Sequence, residues 1–450
     1  MSKKENKRRS FLKKSAAGSA MLVAGGILPH FSAKAYSRII GANNTVNVSM
    51  MGVNSRGKSL AQNFARQDNF EVIHVCDVDS RAIESCLEAI KDKQKTKAKT
   101  FGDFRKSLES KDVDAMVIAA PDHWHAPAAL LALQADKHVY VEKPCSHNPN
   151  EGEMLVSASK KYNKVVQMGN QRRSWPNVMA GIKALKDGAI GNVYFGKGWY
   201  TNNRPSIGTG KVVAPPDWLD WNLWQGPAPR KDYKDNIVHY NWHWLWHWGT
   251  GEALNNGTHM IDLLRWGLEV DYPTRVSSNG GRYRYNDDWE TPDTQVINLD
   301  FGDCTMSWEG RSCNGKPIEG SSVGVMFYGD EGSILIPGGN SYTQFDLKGN
   351  VVKKEDDEVE IDPRNPVNPA TQLDALHIQN MYDGIYNGKA LAADIDSGHK
   401  STLLVQLGNI AQRVGRSLNI DPKNGHILND SDALKYWSRS YEKGWEMKLS

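Results

Sequence analysis

What this chain lacks narrows its function first. It has only 5 cysteines in 450 residues, and Cys76, Cys86, Cys145, Cys304 and Cys313 are irregularly spaced with no CxxC pair. No disulfide framework is expected from such a set, a Cys304–Cys313 bridge being the one pairing left open. Charge of one sign is also scarce: 55 Lys and Arg against 52 Asp and Glu leave a net +3. Much of that excess sits in the first 35 residues, so no basic surface for nucleic acid is implied. The stretch 15–28 is apolar but short and rich in Gly and Ala, which excludes a transmembrane helix. No internal repeat is present. What remains is 39% hydrophobic and 24% charged, the composition of a globular protein, in a chain long enough for two domains.

The amino terminus carries three signals in order. Lys7-Arg8-Arg9-Ser10-Phe11-Leu12-Lys13 fits the twin-arginine export pattern, 15–28 is the weakly apolar stretch, and Ala33-Lys34-Ala35 is an A-x-A cleavage signal. The expectation is a signal peptide over 1–35, a mature chain beginning near Tyr36, passage through the twin-arginine export machinery and a periplasmic location. No stable membrane span is expected after processing, and no cysteine follows the apolar stretch to carry a lipid.

From Thr45 onward β-rich runs alternate with helical stretches. Strands are expected at 46–51, 71–76, 114–119, 138–141 and 165–168, with helices ending near Arg66 and over 81–91, 127–135 and 150–162. Near-continuous apolar strands spaced by helices predict a doubly wound parallel sheet, a Rossmann domain over 45–170. A second α/β domain is expected over 171–435. There a helix over 178–186 and a strand over 191–200 lead into a long Trp-, Pro- and Gly-rich segment, 201–248, which reads as an active-site insertion. After a helix over 257–266, strands at 275–278, 294–301, 305–309, 322–328, 333–336 and 343–346 follow without helices between them. They predict a large open, mainly antiparallel sheet, closed by a helix over 398–418. The charge-rich stretches 91–99 and 353–358 read as solvated loops.

Gly52-Val53-Asn54-Ser55-Arg56-Gly57 lies between the first strand and the first helix. It is a G-x-G-x-x-G dinucleotide loop with Asn54 in place of the second glycine. Asn tolerates left-handed backbone better than other non-glycine residues, and the pyrophosphate would rest on the helix N-terminus. Asp77, at the end of the second strand, is placed to accept from the adenosine ribose 2′-OH, which favours NAD. Arg81 nearby leaves NADP as the less favoured alternative.

Glu142-Lys143-Pro144 follows the strand 138–141. Ligands of open α/β sheets sit beyond strand C-termini, so Lys143 emerges where a nicotinamide would lie and can donate to the oxygen of a reacting carbinol. In Gly249-Thr250-Gly251-Glu252-Ala253-Leu254-Asn255-Asn256-Gly257-Thr258-His259, Asn255 and His259 stand four apart and would share one helix face. Histidine suits removal of a hydroxyl proton near neutral pH, although a buried structural histidine is the alternative reading of His259.

With Pro121-Asp122-His123-Trp124-His125 and Gly398-His399-Lys400-Ser401, these motifs make the chain resemble the glucose-fructose oxidoreductase, inositol dehydrogenase and rhizopine catabolism protein family (Gfo/Idh/MocA) over essentially its whole mature length. The resemblance implies a Rossmann domain, a C-terminal open sheet, NAD, and hydride transfer to or from a sugar or cyclitol. It places the catalytic lysine at Lys143 and the catalytic histidine at His259. It implies cofactor contacts at Gly52, Asn54, Ser55, Arg56, Gly57, Asp77, Pro121, His123, His125, Glu142, Lys143 and Gln171. The family's common aspartate is Asn255 here, which removes a carboxylate from the neighbourhood of His259 and leaves an amide to position substrate. An asparagine here behind a Trp-rich segment resembles exported members from polysaccharide-degrading bacteria. Assembly through the open sheet is implied as well, as a homodimer or homotetramer.

His239, His243 and His247 recur at every fourth position among Trp242, Trp244, Trp246 and Trp248. No Glu follows His243, and no metal is expected. Indoles stack on sugar faces, so Trp242, His243 and Trp246 are taken as substrate contacts beside Lys143, His259 and Arg172, with a packed aromatic core as the alternative. One of Gln171, Arg172 and Arg173 is expected to reach the ligands and the others to be structural. The reading is an NAD-dependent oxidoreductase acting on a carbinol of a sugar, glycoside or cyclitol, with tightly bound NAD. A glycosidase using transient oxidation and a non-catalytic sugar sensor are its rivals.

Overall fold

The computed structural model describes residues 45–357 and 371–449; the expected signal peptide lies outside them. The first sheet is built from short apolar strands buried on both faces. β1 (Val46–Met51), β2 (Phe70–Cys76), β3 (Lys99–Phe101), β4 (Ala115–Ile118), β5 (His138–Val141) and β6 (Val166–Met168) lie in the order β3-β2-β1-β4-β5-β6. Every pairing is parallel. The helices α1 (Arg56–Ala65), α2 (Ser80–Ile90), α3 (Phe104–Leu108), α4 (Asp122–Gln134) and α5 (Pro149–Tyr162) connect them. The order reverses between β1 and β4, so their carboxyl ends open a crevice, the ligand position of doubly wound sheets.

After a 3₁₀ turn (Gln171–Ser174) and α6 (Pro176–Lys186), β7 (Val193–Thr201) enters the second sheet. The Trp-rich segment holds one short helix, α7 (Trp221–Gln225), and a 3₁₀ turn (Asn241–Trp244). A π-helical turn (Ala253–Gly257) leads into α8 (Thr258–Leu268). Then come β8 (Arg275–Gly281), β9 (Thr294–Asp300), β10 (Thr305–Arg311), β11 (Val323–Gly329), β12 (Gly332–Pro337), β13 (Ser341–Asp346) and β14 (Val351–Asp356). α9 (Thr371–Asn387), α10 (Ile395–Val414), β15 (Leu418–Asn419) and α11 (Ser431–Leu434) complete the described chain. The sheet order is β14-β13-β12-β11-β7-β10-β9-β8-β15, antiparallel except where β7 meets β10. β9 and β10 alternate buried and half-buried residues, the pattern of a sheet with one face on a core. Two glycines on β7 let α8 lie close: a Cβ on Gly196 would stand 2.8 Å from Leu264, and one on Gly198 3.1 Å from Met260.

Several expectations are corrected. The stretch read as a loop at 91–99 ends in β3, a three-residue edge strand too polar and exposed to show an apolar pattern. Lys353–Asp356 belongs to β14, an exposed edge strand whose charges suit an edge. α9 was not expected, and its Asp374 bonds Arg56 and Asn63 of α1. α4 begins at Asp122, five residues before Pro127. A proline inside a helix strands the carbonyl four residues back, and Arg439 Nη2 donates to that carbonyl, on His123, at 2.7 Å. All five cysteines are free thiols, so the Cys304–Cys313 bridge is absent. Among the described residues no helix is long and apolar enough to cross a membrane.

Candidate active site

A cavity of about 420 Å³ runs from the ends of β1, β2 and β4 to the π-helical turn and the Trp-rich segment. At one end the glycine loop is dictated by space. Gly52 has φ +78°, and a Cβ there would stand 2.6 Å from Ala120 N. A Cβ on Gly57 would stand 1.7 Å from Gly52 O. Ser55 caps α1 without a side-chain bond to any described residue, leaving the helix N-terminus to an anion. Asp77 accepts from Val53 N at 2.6 Å and Asp79 N at 3.0 Å; burial pushes its carboxyl up. Arg81 is turned away from it, donating to Asp79 at 3.1 and 2.9 Å and lying 3.3 Å over the ring of Trp218. The close-packed turn, the uncapped helix and the carboxylate at the end of β2 fit a dinucleotide whose ribose carries no 2′-phosphate.

Further along, Arg56 joins Glu142 at 2.8 Å to Asp374 at 2.8 Å. Burial opposes its charge, but Asp374 and Glu142 outweigh burial and hold it well above the ordinary value. Lys143 follows β5. Its Nζ donates to Asn255 Oδ1 at 3.0 Å and also to the Asn255 carbonyl. Burial pushes this ammonium below its ordinary value, against the opposing charges of Glu142, Asp122 and Glu252. His259 is buried in the first turn of α8. Burial, then Lys143, Arg172 and Arg56, push it well below the ordinary histidine value, so it stands neutral. Its Nδ1 has no hydrogen-bond partner among the described residues. A neutral imidazole and an ammonium lining one cavity can take a proton from a hydroxyl and hold the oxygen it leaves.

Of the sequence-derived candidates, Gly52, Asn54, Ser55, Arg56, Asp77, Pro121, His125, Glu142, Lys143, Gln171, Trp242, His243, Asn255 and His259 line this cavity. Gly57 lies beneath the loop, against Gly52. His123 does not line it. Its Nε2 lies 3.0 Å from the Trp224 carbonyl, because residues two apart on a helix point about 200° apart and His125 takes the cavity side. Arg172 does not line it either: it is buried under Gly338, donating to that carbonyl at 2.6 Å, with its guanidinium 4.6 Å from the Trp175 ring centroid. Burial lowers its pKa to about 9. Arg173 is structural, paired with Asp262 at 2.8 Å. Trp246 packs under Arg413, 4.7 Å from its ring centroid, outside the cavity. Trp242 stacks on His243 at 3.6 Å. Asn255 sits in a π turn rather than an α-helix with His259, and such turns occur often at functional sites.

The three periodic histidines diverge. His239 Nε2 bonds Asp79 at 2.6 Å, His243 Nδ1 lies 2.6 Å from the Tyr240 carbonyl, and His247 Nε2 lies 2.7 Å from the Pro229 carbonyl. Sequence reasoning missed Asp122, Tyr200, Asn202, Arg204, Tyr240 and Asn256, all of which line the cavity. Arg204 pairs with buried Glu252 at 2.6 Å. Tyr200, Asn202 and Arg204 alternate through the end of β7 and the residues just past it, a signal that would have found them.

Fold and site together define the class, a dinucleotide-binding protein of two sheets with polar groups converging at the mouth of the first. Residues 46–170 match the oxidoreductase family's NAD-binding Rossmann fold, and 219–420 its C-terminal alpha/beta domain. The chain belongs to the Gfo/Idh/MocA oxidoreductase family. A relative, a glycosyl hydrolase family 109 protein of Saccharopolyspora erythraea, is 30% identical over 226 residues, 47% of this chain and 49% of that protein. The chain thus spans about half the length of the curated relatives it matches. The WlbA dehydrogenase of Bordetella pertussis, solved with NADH and UDP-GlcNAcA, shares the fold with a TM-score of 0.62 at 18% identity, over 84% of this chain and 99% of that one. Levoglucosan dehydrogenase, solved with NADH and levoglucosan, does so with a TM-score of 0.63 at 17% identity, over 83% and 99%.

Proposed function

We propose that the protein is an NAD-dependent oxidoreductase that oxidises a carbinol of a sugar, glycoside or cyclitol, with 45–170 holding the cofactor and 171–435 the substrate. The observation that carries this reading is that Lys143 and His259 line one cavity with the glycine loop. NAD held by Gly52, Ser55 and Asp77 would supply the hydride acceptor. Lys143 donates to the carbinol oxygen, and neutral His259 takes the hydroxyl proton as the carbon–hydrogen bond gives up its hydride. Trp242, Tyr240, Asn202 and Asn256 orient the hydroxyls and the apolar face of the ring. Among the described residues, Lys143 and Arg204 are the cations near the substrate end, and Arg204 is tied to Glu252. A neutral sugar fits it better than a uronate.

The same proposal includes export. The twin-arginine pattern and A-x-A signal support a periplasmic protein exported folded around tightly bound NAD, since free nicotinamide nucleotides are not expected outside the membrane. The open second sheet supports a homodimer or homotetramer; light scattering giving the mass of one chain would overturn that part. The likeness to a glycosyl hydrolase family 109 protein favours one second reading, a glycosidase acting through transient oxidation. A screen of sugars and glycosides with mass-spectrometric detection of keto products tests the main reading. Release of a chromogenic aglycone without a keto product supports the second.

A further inference from the structure

Glu252 is a buried carboxylate on which five side-chain donors converge. Arg204 donates through Nε at 2.6 Å and Nη2 at 3.2 Å, and Ser312 Oγ at 3.0 Å. Asn256 Nδ2 donates at close range, and Asn255 Nδ2 at 3.4 Å. The last of these matters for the chemistry. An amide has a donor end and an acceptor end. With the nitrogen of Asn255 on a carboxylate, its oxygen is left facing Lys143 Nζ, 3.0 Å away. The reverse orientation would set oxygen against carboxylate and NH₂ against ammonium, unfavourable at both ends.

We propose that Glu252 is the positioning residue of this site, orienting the Asn255 amide toward Lys143 and adding a buried counter-charge for its ammonium to those of Glu142 and Asp122. Every charged or titratable group around Lys143 bears on this. Glu142 lies beside it in sequence, Asp122 and His125 come from α4, Arg56 from α1, His259 from α8 and His243 from the 3₁₀ turn. Glu142 is engaged by Arg56 at 2.8 Å. Asp122 is itself pushed toward its neutral form by burial and bonded by Thr250. His259 and His243 are pushed toward neutrality by burial. Glu252 reaches the Lys143 side chain through Asn255, which it and Lys143 both hydrogen-bond. Arg204 sets how much of its charge is felt there.

The inference rests on the proposed role of Lys143, but its test does not need turnover. Competitive acetylation of Lys143 by acetic anhydride across pH, quantified by peptide mass spectrometry on the purified NAD-loaded protein, gives the ammonium's midpoint. Glu252→Gln should lower the midpoint by about one pH unit, the size of effect expected of one nearby charge. Arg204→Met, which unmasks the carboxylate, should raise it. A well-folded Glu252→Gln protein with an unchanged midpoint would overturn the proposal. If that variant does not fold, Arg204→Met decides alone, and a midpoint that stays or falls overturns it. A protein that oxidises no sugar yet shows these opposite shifts would retain this role for Glu252 and lose the functional reading.

Discussion

The guanidinium of Arg81, in the first turn of α2, lies 3.3 Å over the ring of Trp218, which belongs to the Trp-rich segment 201–248. Backbone bonds run with the stack: Ser80 N donates to the Trp218 carbonyl at 3.1 Å, and Asp220 N to the Val78 carbonyl at 3.0 Å. The segment therefore reaches past the substrate end and clasps the nucleotide end of the cavity. Trp218→Ala should loosen that clasp. Losing one cation–π contact is worth about 1 kcal/mol, or about fivefold in affinity. After equal dialysis, the NAD released by denaturation should be lower in the variant. Equal NAD content would remove the segment from cofactor retention.

Asp77→Ala should relax nucleotide choice. The carboxylate at the end of β2 is held by Val53 N and Asp79 N, and like charges set together cost several kcal/mol, so the NADP-to-NAD affinity ratio should rise at least about tenfold. Fluorescence titration of nucleotide-free protein with each cofactor measures it. Wild-type protein that purifies with NADP would contradict the role given to Asp77.

The pH profile of NAD reduction follows from the two shifts. His259 must be unprotonated to take a proton, and burial moves it well below the ordinary histidine value. The rate should therefore hold steady down through pH 6.5, the ordinary histidine value, and fall only below it. Lys143 must be protonated to donate, and burial lowers it. The rate should fall as pH rises through a value below the ordinary lysine 10.5. Single-turnover rates across pH test both limbs; an acid limb centred at pH 6.5 would contradict the burial of His259.

Arg173 and Asp262 form a buried pair at 2.8 Å with Ser401 donating to the carboxylate. Asp262→Ala leaves the guanidinium buried without its partner, a loss of about 3–5 kcal/mol. Denaturant unfolding should register it. A loss below about 1 kcal/mol would place the pair with weak surface bridges.

How much of this was legible in the sequence depended on range. The glycine loop, Asp77 and Lys143 could be read because each follows its own strand, and strand ends are where ligands sit. The start of α4 could not. Pro127 argues for a helix beginning there, and the group that satisfies the stranded His123 carbonyl is Arg439, 316 residues away. The same helix explains why one histidine of Pro121–His125 faces the cavity and the other does not: a motif gives spacing, not which way α4 is turned. Gln171 and Arg172 part company for a similar reason, being adjacent in a 3₁₀ turn, where successive residues point about 120° apart. Arg204 and Glu252 were invisible as a pair, since the segment after β7 and the residue before the π turn meet only when the second sheet forms.

The most direct measurement is the single-turnover reduction of bound NAD by a neutral sugar or glycoside identified in the substrate screen, compared between wild type and Lys143→Met. Methionine keeps the length of the side chain and removes the charge and donors. The account predicts unchanged fold and NAD content with a rate lower by about 10²–10⁴, the usual contribution of a general acid–base group. A Lys143→Met protein that reduces its NAD at the wild-type rate would contradict it.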